Sequence, residues 1–365
     1  MKSLPGLSLL AALLLTTLAH AEVRPGPWPL QGYPCQRIAH EIVIDGKLDE
    51  AIWSAAPWTR PFVDIEGDIR PDPRHETRAR MLWDDTYFYV AAQMDEPHLW
   101  ATLRERDSVI YYDNDFEVFI DPDGDSHLYT EIELNAFNTV WDLLLIKPYR
   151  NGGPAIHAWD IPGLRTAVHL DGSVNDPSDT DRGWSVEIAI PWAVLKETTS
   201  TACPPNPGDR WRVNFSRVQW QLETVDGAYR KMTDPLTGKS LPENNWVWSQ
   251  QRVIAMHEPE HWGIVEFRAA DNHTPVLPDD RDAAAWHLRF AAYYLAELRS
   301  AGDTWPETFA APAPAPGTPD LDPAWNWPPA YVRTGGRYTL TLTRSDNEEA
   351  LILHEDGRLV HDREK

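Results

Sequence analysis

The sequence predicts an all-β protein, a two-sheet β-sandwich of the jelly-roll kind with a small C-terminal helix-plus-hairpin appendage. Three observations predict it. Between Ile42 and Arg268, short runs rich in Val, Ile, Tyr, Phe and Trp are punctuated by Gly, Pro, Asn and Asp, the pattern of strands and turns. Several runs alternate apolar and polar side chains, which on a strand sends one set to each face. Helical periodicity is nearly absent from this region, and many short strands joined by turns make a sandwich or jelly roll.

Residues 1–21 have the form of a secretory signal: Lys2, an apolar run over 7–18, then Ala19-His20-Ala21. That run is too short for a membrane span and no other segment reaches spanning length. A secreted or periplasmic protein, cleaved after Ala21, is expected. Residues 22–37, rich in Pro and Gly as far as Cys35, read as an N-terminal arm. The sandwich occupies 38–268, with strands expected at 42–44, 78–83, 87–94, 116–121, 129–135, 140–146, 167–169, 183–191, 211–219 and 264–267. Ile52 and Ala55 follow Leu48 at helical spacing, so 48–55 is a short helix, and 192–196 after Pro191 is one helical turn. Beyond Arg268, Trp286, Phe290, Ala291, Tyr294, Leu295 and Leu298 fall at helical spacing and predict a helix over 279–300 within a helical segment 269–305. Residues 306–330 are Pro- and Ala-rich and read as an extended or disordered linker. Residues 331–365 read as a hairpin of 331–344 and 350–361 turning near Asp346-Asn347, with a second turn at Asp356-Gly357.

With 365 residues the chain can bury a substantial core, and its formal charge is −23. No basic cluster exists to neutralise phosphates, so neither nucleic acid nor an anionic membrane surface is an expected partner. The acidity suits neutral ligands such as sugars, or divalent cations, besides favouring solubility. Cys35 and Cys203 are the two cysteines, and a lone pair in an exported protein is expected to form a disulfide.

The most informative stretch is 113–141, DNDFEVFIDPDGDSHLYTEIELNAFNTVW. Phe116, Val118 and Ile120 alternate with Asp115, Glu117 and Phe119, and Ile132, Leu134 and Ala136 alternate with Glu131, Glu133 and Asn135. Two such strands side by side bury one face and present acids and amides on the other. A polar strand face can simply meet solvent. In a chain with 18 Trp it also suits a polyhydroxylated ligand, whose C–H faces pack on rings and whose hydroxyls seek directional, charge-assisted hydrogen bonds.

Six motifs in order, IDGKLDEAIWSAAP, MLWDDTYFYVAAQMDEP, DNDFEVFIDPDGD, EIELNAFNTVWDLLL, GWSVEIAIPW and MHEPEHWGIVEF, resemble the family 9 carbohydrate-binding modules and their exported relatives. The resemblance spans 38–268 and implies a two-sheet sandwich, calcium-stabilised loops and a site for sugars, often a terminal unit of a glycan, sandwiched in the best-known modules between two Trp rings. Glu117 stands where the family carries a sugar-binding glutamate. Tyr111 or Tyr112 takes the place of one sandwiching Trp, Glu133 that of a family Arg, and the second Trp falls near Met256-His257, with Trp246 and Trp248 nearby. The expected carbohydrate partners are therefore Asp115, Glu117, Glu133 and Asn135, framed by Tyr111, Tyr112, Trp248 and His257, with Arg217 supplying the donor that Glu133 cannot. Trp53, Trp83, Trp184 and Trp192 read as core.

The turn Asp121–Asp125 sets Asp121, Asp123 and Asp125 at alternate positions, a candidate structural Ca²⁺ site or an ordinary Pro-Asp-Gly turn. His257-Glu258-Pro259-Glu260-His261 matches the zinc-protease letters H-E-x-x-H, but Pro259 opposes the continuous helix which that chemistry needs. Two alternatives accompany the binding reading. One is a glycoside hydrolase pairing Glu117 with Glu133 or Glu187. The other is an envelope structural or interaction protein whose sugar site has degenerated.

Overall fold

The computed structural model describes residues 28–269, 272–302, 304–313 and 318–363. The signal-like segment, the start of the expected arm and 314–317 of the Pro-rich stretch lie outside them. In chain order the first elements are β1 (Gly32–Arg37), α1 (Ala51–Ala55), β2 (Val63–Asp64), β3 (Thr77–Trp83), β4 (Tyr87–Asp95), β5 (Asp115–Asp121), β6 (Tyr129–Asn135), β7 (Val140–Leu145) and β8 (Ala155–Ile156). There follow β9 (Arg165–Asp171), β10 (Gly183–Pro191), α2 (Trp192–Leu195), β11 (Arg210–Gln219), β12 (Leu222–Val225), β13 (Ala228–Lys231), β14 (Asn244–Val247) and β15 (Gly263–Arg268). The C-terminal elements are α3 (Asp280–Gly302), β16 (Ala330–Thr334), β17 (Arg337–Thr343), β18 (Glu349–His354) and β19 (Leu359–Arg363).

Strands β8-β7-β6-β5-β11-β15-β1-β3-β4-β10-β9 form one hydrogen-bonded path, with β14 on β11 and β2 on β14. The path folds over on itself. Phe116, Val118, Ile120, Ile132, Leu134, Val213 and Phe215 from one half share a core with Met81, Trp83, Phe88, Val90, Val186, Ile188 and Ile190 from the other. This is the sandwich that the alternation predicts. Its aromatic centre packs Trp192 and Trp211 edge-on with ring centroids 5.5 Å apart, an arrangement favoured by the ring quadrupoles. Trp53, Trp83, Trp184 and Trp192 are all buried, as expected.

The expected arm is corrected by the structure. Its second half is β1, which pairs in parallel with both β15 and β3 and so joins the two halves. A strand hydrogen-bonded on both edges is buried and need not alternate, and GYPCQR does not. Conversely, 42–44 is no strand. That segment crosses the outer face of β3, β4 and β10, where Ile38, Ile42 and Trp53 meet Leu82, Tyr89 and Ala189. Glu187 on β10 holds it there, accepting from the backbone N–H of Asp45 at 2.9 Å and Gly46 at 2.8 Å and from Trp53 Nε1 at 2.7 Å. Gly46 takes φ +85°, and a Cβ there would meet His169 N at 2.6 Å, so both backbone conformation and space demand glycine.

The cysteines are free, Cys35 buried on β1 and Cys203 half-buried with its thiol directed at the Trp192 carbonyl at 3.3 Å. The expected disulfide is therefore not formed. Both thiols are pushed above the ordinary cysteine range by burial.

The appendage is larger than a helix and a hairpin. β16-β17-β18-β19 form a four-stranded meander, with its first turn at Gly335-Gly336. Ala284, Leu288, Ala291 and Leu295 of α3 pack on Leu340, Leu342, Leu351 and Leu353. Trp305, Phe309, Leu321, Trp325 and Trp327 join that core. The described parts of the Pro-rich stretch are thus packed rather than a free linker. This unit docks on the Asp121–Asp125 loop: Leu359 N–H donates to Asp125 O at 3.0 Å, Arg358 Nε to Asp125 Oδ2 at 2.8 Å, and Arg289 to Ser126 Oγ at 2.7 Å.

Candidate functional site

On β5 and β6 the period of two places Glu117 directly opposite Glu133, Phe119 opposite Glu131 and Asp115 opposite Asn135. On β7, Trp141 sits opposite Glu133, and on β11, Ser216 sits opposite Glu117. This outer face of the sheet is not bare. Ile65, Ile110, Met256 and Trp262, from loops and turns, cover part of it against Phe119, Tyr129 and Leu143. Between them remains an open cavity of about 500 Å³. Glu117, Glu131, Glu133, Glu243, Asn245, Tyr111, Trp141, Tyr149, His157 and His257 line it, with neither Lys nor Arg among the lining residues.

The carboxyls are crowded. Oxygens of Asp115, Glu117 and Glu133 lie within 4.8 Å of one another. Burial, then the neighbouring Glu117, hold Glu131 and Glu133 well above the ordinary carboxylate range. Burial pushes Glu117 up to about 7, the nearby Ser216 hydroxyl offsetting part of this. Glu133 accepts from the Tyr111 backbone N–H at 3.0 Å, which fixes the turn carrying Tyr111. His257 Nδ1 meets the Tyr129 hydroxyl at 3.0 Å, and Nε2 lies 4.0 Å from Glu131. Burial lowers its pKa to about 4, so at neutral pH it is an uncharged ring.

The rings form flat surfaces beside these acids. Trp141 stacks on His157 with centroids 5.4 Å apart and planes 9° apart. Tyr149 meets His257 edge-on at 4.4 Å. The Trp141 Nε1–H has no partner among the described residues, although the side chain is only 7% exposed.

Of the nine expected carbohydrate partners, four line the cavity: Tyr111, Glu117, Glu133 and His257. Asp115 sits on the same strand face but does not line it; Oδ1 accepts from Val218 N–H at 3.1 Å and Oδ2 is buried without a partner. Tyr112 is exposed outside the cavity, packed edge-on against Tyr111 at 4.9 Å. The other three belong elsewhere. Asn135 shapes the β6–β7 turn, accepting from Phe137 and Thr139 N–H and donating to Leu103 O and Asp113 Oδ2. Arg217 is 1% exposed and points away from Ser216 and Val218, into a buried pair with Glu96 at 3.0 Å. Trp248 is core, edge-on to Tyr33 at 6.4 Å. Glu187, on β10, anchors the Asp45 loop and cannot pair with Glu117.

Glu131, Trp141, Tyr149, His157, Glu243 and Asn245 were not expected as lining residues. Glu131 and Trp141 were within reach, because both carry the parity of Glu133 across adjacent strands. Asn245 lies on β14, a strand the sequence did not predict, and Tyr149, His157 and Glu243 come from turns and loops whose course no periodicity encodes. The H-E-x-x-H letters form no helix across both histidines: Pro259–His261 is a single 3₁₀ turn. Glu258 and Glu260 pair with Arg150 at 2.9 and 2.5 Å.

At the Asp turn, oxygens of Asp121, Asp123 and Asp125 come within 4.8 Å of one another. Asp121 accepts from the N–H of Gly124 and Ser126, and Asp123 Oδ2 from Ser200, while Asp123 Oδ1 is buried without a partner. Burial and the adjacent aspartates raise Asp121 and Asp123. An orphan acceptor amid crowded carboxylates fits a hard divalent cation.

Several known proteins are similar to this chain. The endo-1,4-beta-xylanase A of Thermotoga maritima is 27% identical over 159 residues, 44% of this chain and 13% of the xylanase. The exoglucanase XynX of Acetivibrio thermocellus is 30% identical over 154 residues, 42% of this chain and 12% of the exoglucanase. The chain thus spans about an eighth of the length of these relatives. Among solved structures, a family 9 carbohydrate-binding module from Caldicellulosiruptor kristjanssonii in complex with cellotriose is 17% identical. It covers 68% of this chain and all of the module, at TM-score 0.42. A carbohydrate-binding protein from Bacteroides uniformis, itself assigned only by inference, is 13% identical at TM-score 0.48, covering 66% of this chain and all of that one. The profile described as carbohydrate family 9 binding domain-like matches residues 44–267. By that match, which takes in β3 to β15 and every residue of the cavity, the chain belongs to the carbohydrate family 9 binding domain-like family.

Proposed function

We propose that this chain is an exported receptor that binds carbohydrate without cleaving it, in the cavity over β5, β6 and β7. The observation that carries the reading is the in-register pair Glu117 and Glu133 on one wall of a 500 Å³ cavity beside the Trp141 and Tyr111 rings. Ring faces accept the apolar side of a sugar, and carboxyl groups accept its hydroxyl protons. The two glutamates stand side by side on neighbouring strands. A glycosidase instead sets its two carboxyls on either side of the scissile bond, which favours binding over hydrolysis. Export is supported by the signal-like residues 1–21, and a link to glycan breakdown by the xylanase and exoglucanase names of the relatives. Asp121, Asp123 and Asp125 would hold a structural Ca²⁺, which supplies charge neutralisation to that loop and no chemistry.

Calorimetric titration of the full chain with a panel of mono- and oligosaccharides tests the reading. Glu117→Ala is expected to weaken the best ligand by about 1–3 kcal/mol, the cost of one lost buried hydrogen-bonding partner. Unchanged affinity would remove Glu117 from the site. Failure of every saccharide to bind would favour the interaction-protein alternative.

A further inference from the structure

The cavity wall is one-sided in its chemistry. Four glutamates line it, Glu117 from β5, Glu131 and Glu133 from β6 and Glu243 from the segment before β14, with Asp115 adjoining. No Lys or Arg lines it to balance them. Arg217 of β11 is committed to Glu96 on the other face. His257, His157, Tyr111 and Tyr149 complete the titratable lining, and His257 is held neutral by burial. Crowded and buried with no basic side chain among them, Glu117, Glu131 and Glu133 are held up toward their protonated forms. An ammonium group donates three hydrogen bonds and brings the positive charge that lets such carboxyls ionise, which a neutral sugar does not bring. It fits this wall.

Resting on the carbohydrate reading, we propose that the preferred ligand is an amino sugar whose nitrogen is unacylated and protonated, its ammonium group held among Glu117, Glu131, Glu133 and Glu243. A second feature points to an organic ligand rather than a bare ion. Trp141 lines the cavity with its Nε1–H unpartnered at 7% exposure, a donor awaiting an acceptor that a metal ion does not carry. A sugar hydroxyl or ring oxygen supplies one. The volume of about 500 Å³ also exceeds what an ion requires, and the stacked Trp141–His157 pair offers a face for ring C–H groups.

The experiment is calorimetric titration of the full chain at neutral pH with glucosamine and its β-1,4 oligomer, against glucose, N-acetylglucosamine and a cello-oligosaccharide. The unacylated amine is expected to bind on the order of tenfold tighter than its neutral counterparts. Glu243→Gln, on a partly exposed segment where folding is not at stake, should lower the ratio of glucosamine to glucose affinity, and Glu133→Gln should lower it further. Equal or tighter binding of the neutral sugars overturns the amine assignment and leaves the carbohydrate reading standing. No binding of any sugar overturns both. Calcium or manganese alone quenching tryptophan fluorescence, in a manner lost with Glu117→Gln and without sugar binding, would make this a cation site and also overturn the proposal.

Discussion

Glu117 couples the candidate site to the stability of the fold. Its carboxyl is 5% exposed, and burial raises its pKa from 4.5 to about 7. An acid whose folded value lies above its unfolded value contributes stability that is complete below pH 4.5 and lost as the pH rises through 7. The loss is roughly 3–3.5 kcal/mol. His257 acts in the opposite sense: lowered from 6.5 to about 4, it withdraws stability as the pH falls through that window. Denaturant unfolding from acid to neutral pH should therefore show wild-type stability declining above about pH 5, and Glu117→Gln should flatten that decline. Parallel curves for the two proteins would contradict the raised carboxyl. At this scale the sequence was partly legible. Alternation identified the face of Glu117, Glu131 and Glu133, but Asn135 shares that parity and is consumed by the next turn. Arg217, one residue from Ser216, faces the other way, because a shift of one position on a strand reverses the side chain.

Among the elements, the β12–β13 hairpin has an unusual anchor. Lys231 lies with Nζ 3.3 Å from the Trp220 ring centroid and 5.7 Å from those of Trp100 and Tyr112, and burial lowers its pKa. Trp220 Nε1 in turn donates to the Tyr111 carbonyl at 2.9 Å, so the hairpin steadies the turn that presents Tyr111 to the cavity. Lys231→Ala should cost about 0.5–2 kcal/mol of stability and weaken saccharide binding, whereas Lys231→Arg should retain both; calorimetry and thermal melts on the two variants check this. Most strands follow from their sequences, and Tyr129–Asn135 and Gly183–Pro191 have the expected bounds. β1 does not, since a Pro-containing, non-alternating segment acquires strand character only from neighbours on both edges. The turn at Asp356-Gly357 was expected and separates β18 from β19, whereas the turn at Gly335-Gly336 was hidden within an apparently continuous strand, so the first of the four strands was missed.

For the molecule as a whole, the Asp121–Asp125 loop is where the sandwich and the C-terminal unit meet. Asp125 binds Arg358, Ser126 receives Arg289, and His127 lies 3.4 Å from Asp356. A Ca²⁺ held by that loop would favour the folded state at the junction. Chelation should then lower the Tm by roughly 2–4 °C per kcal/mol of binding removed, and added calcium should restore it. An unchanged melt would remove calcium from the account. The change in pattern after Arg268 falls at the end of β15, but the docking was not legible, because it depends on long-range pairs with no local signature.

The placement of β1 between β15 and β3 has a consequence for biosynthesis. The domain's earliest strand finds one of its two edges only in the domain's last, so the barrel-like seam stays unzipped until Arg268 has left the ribosome. During that interval the nascent polypeptide keeps an open edge and an incomplete interior. The sandwich locks only when that final strand arrives.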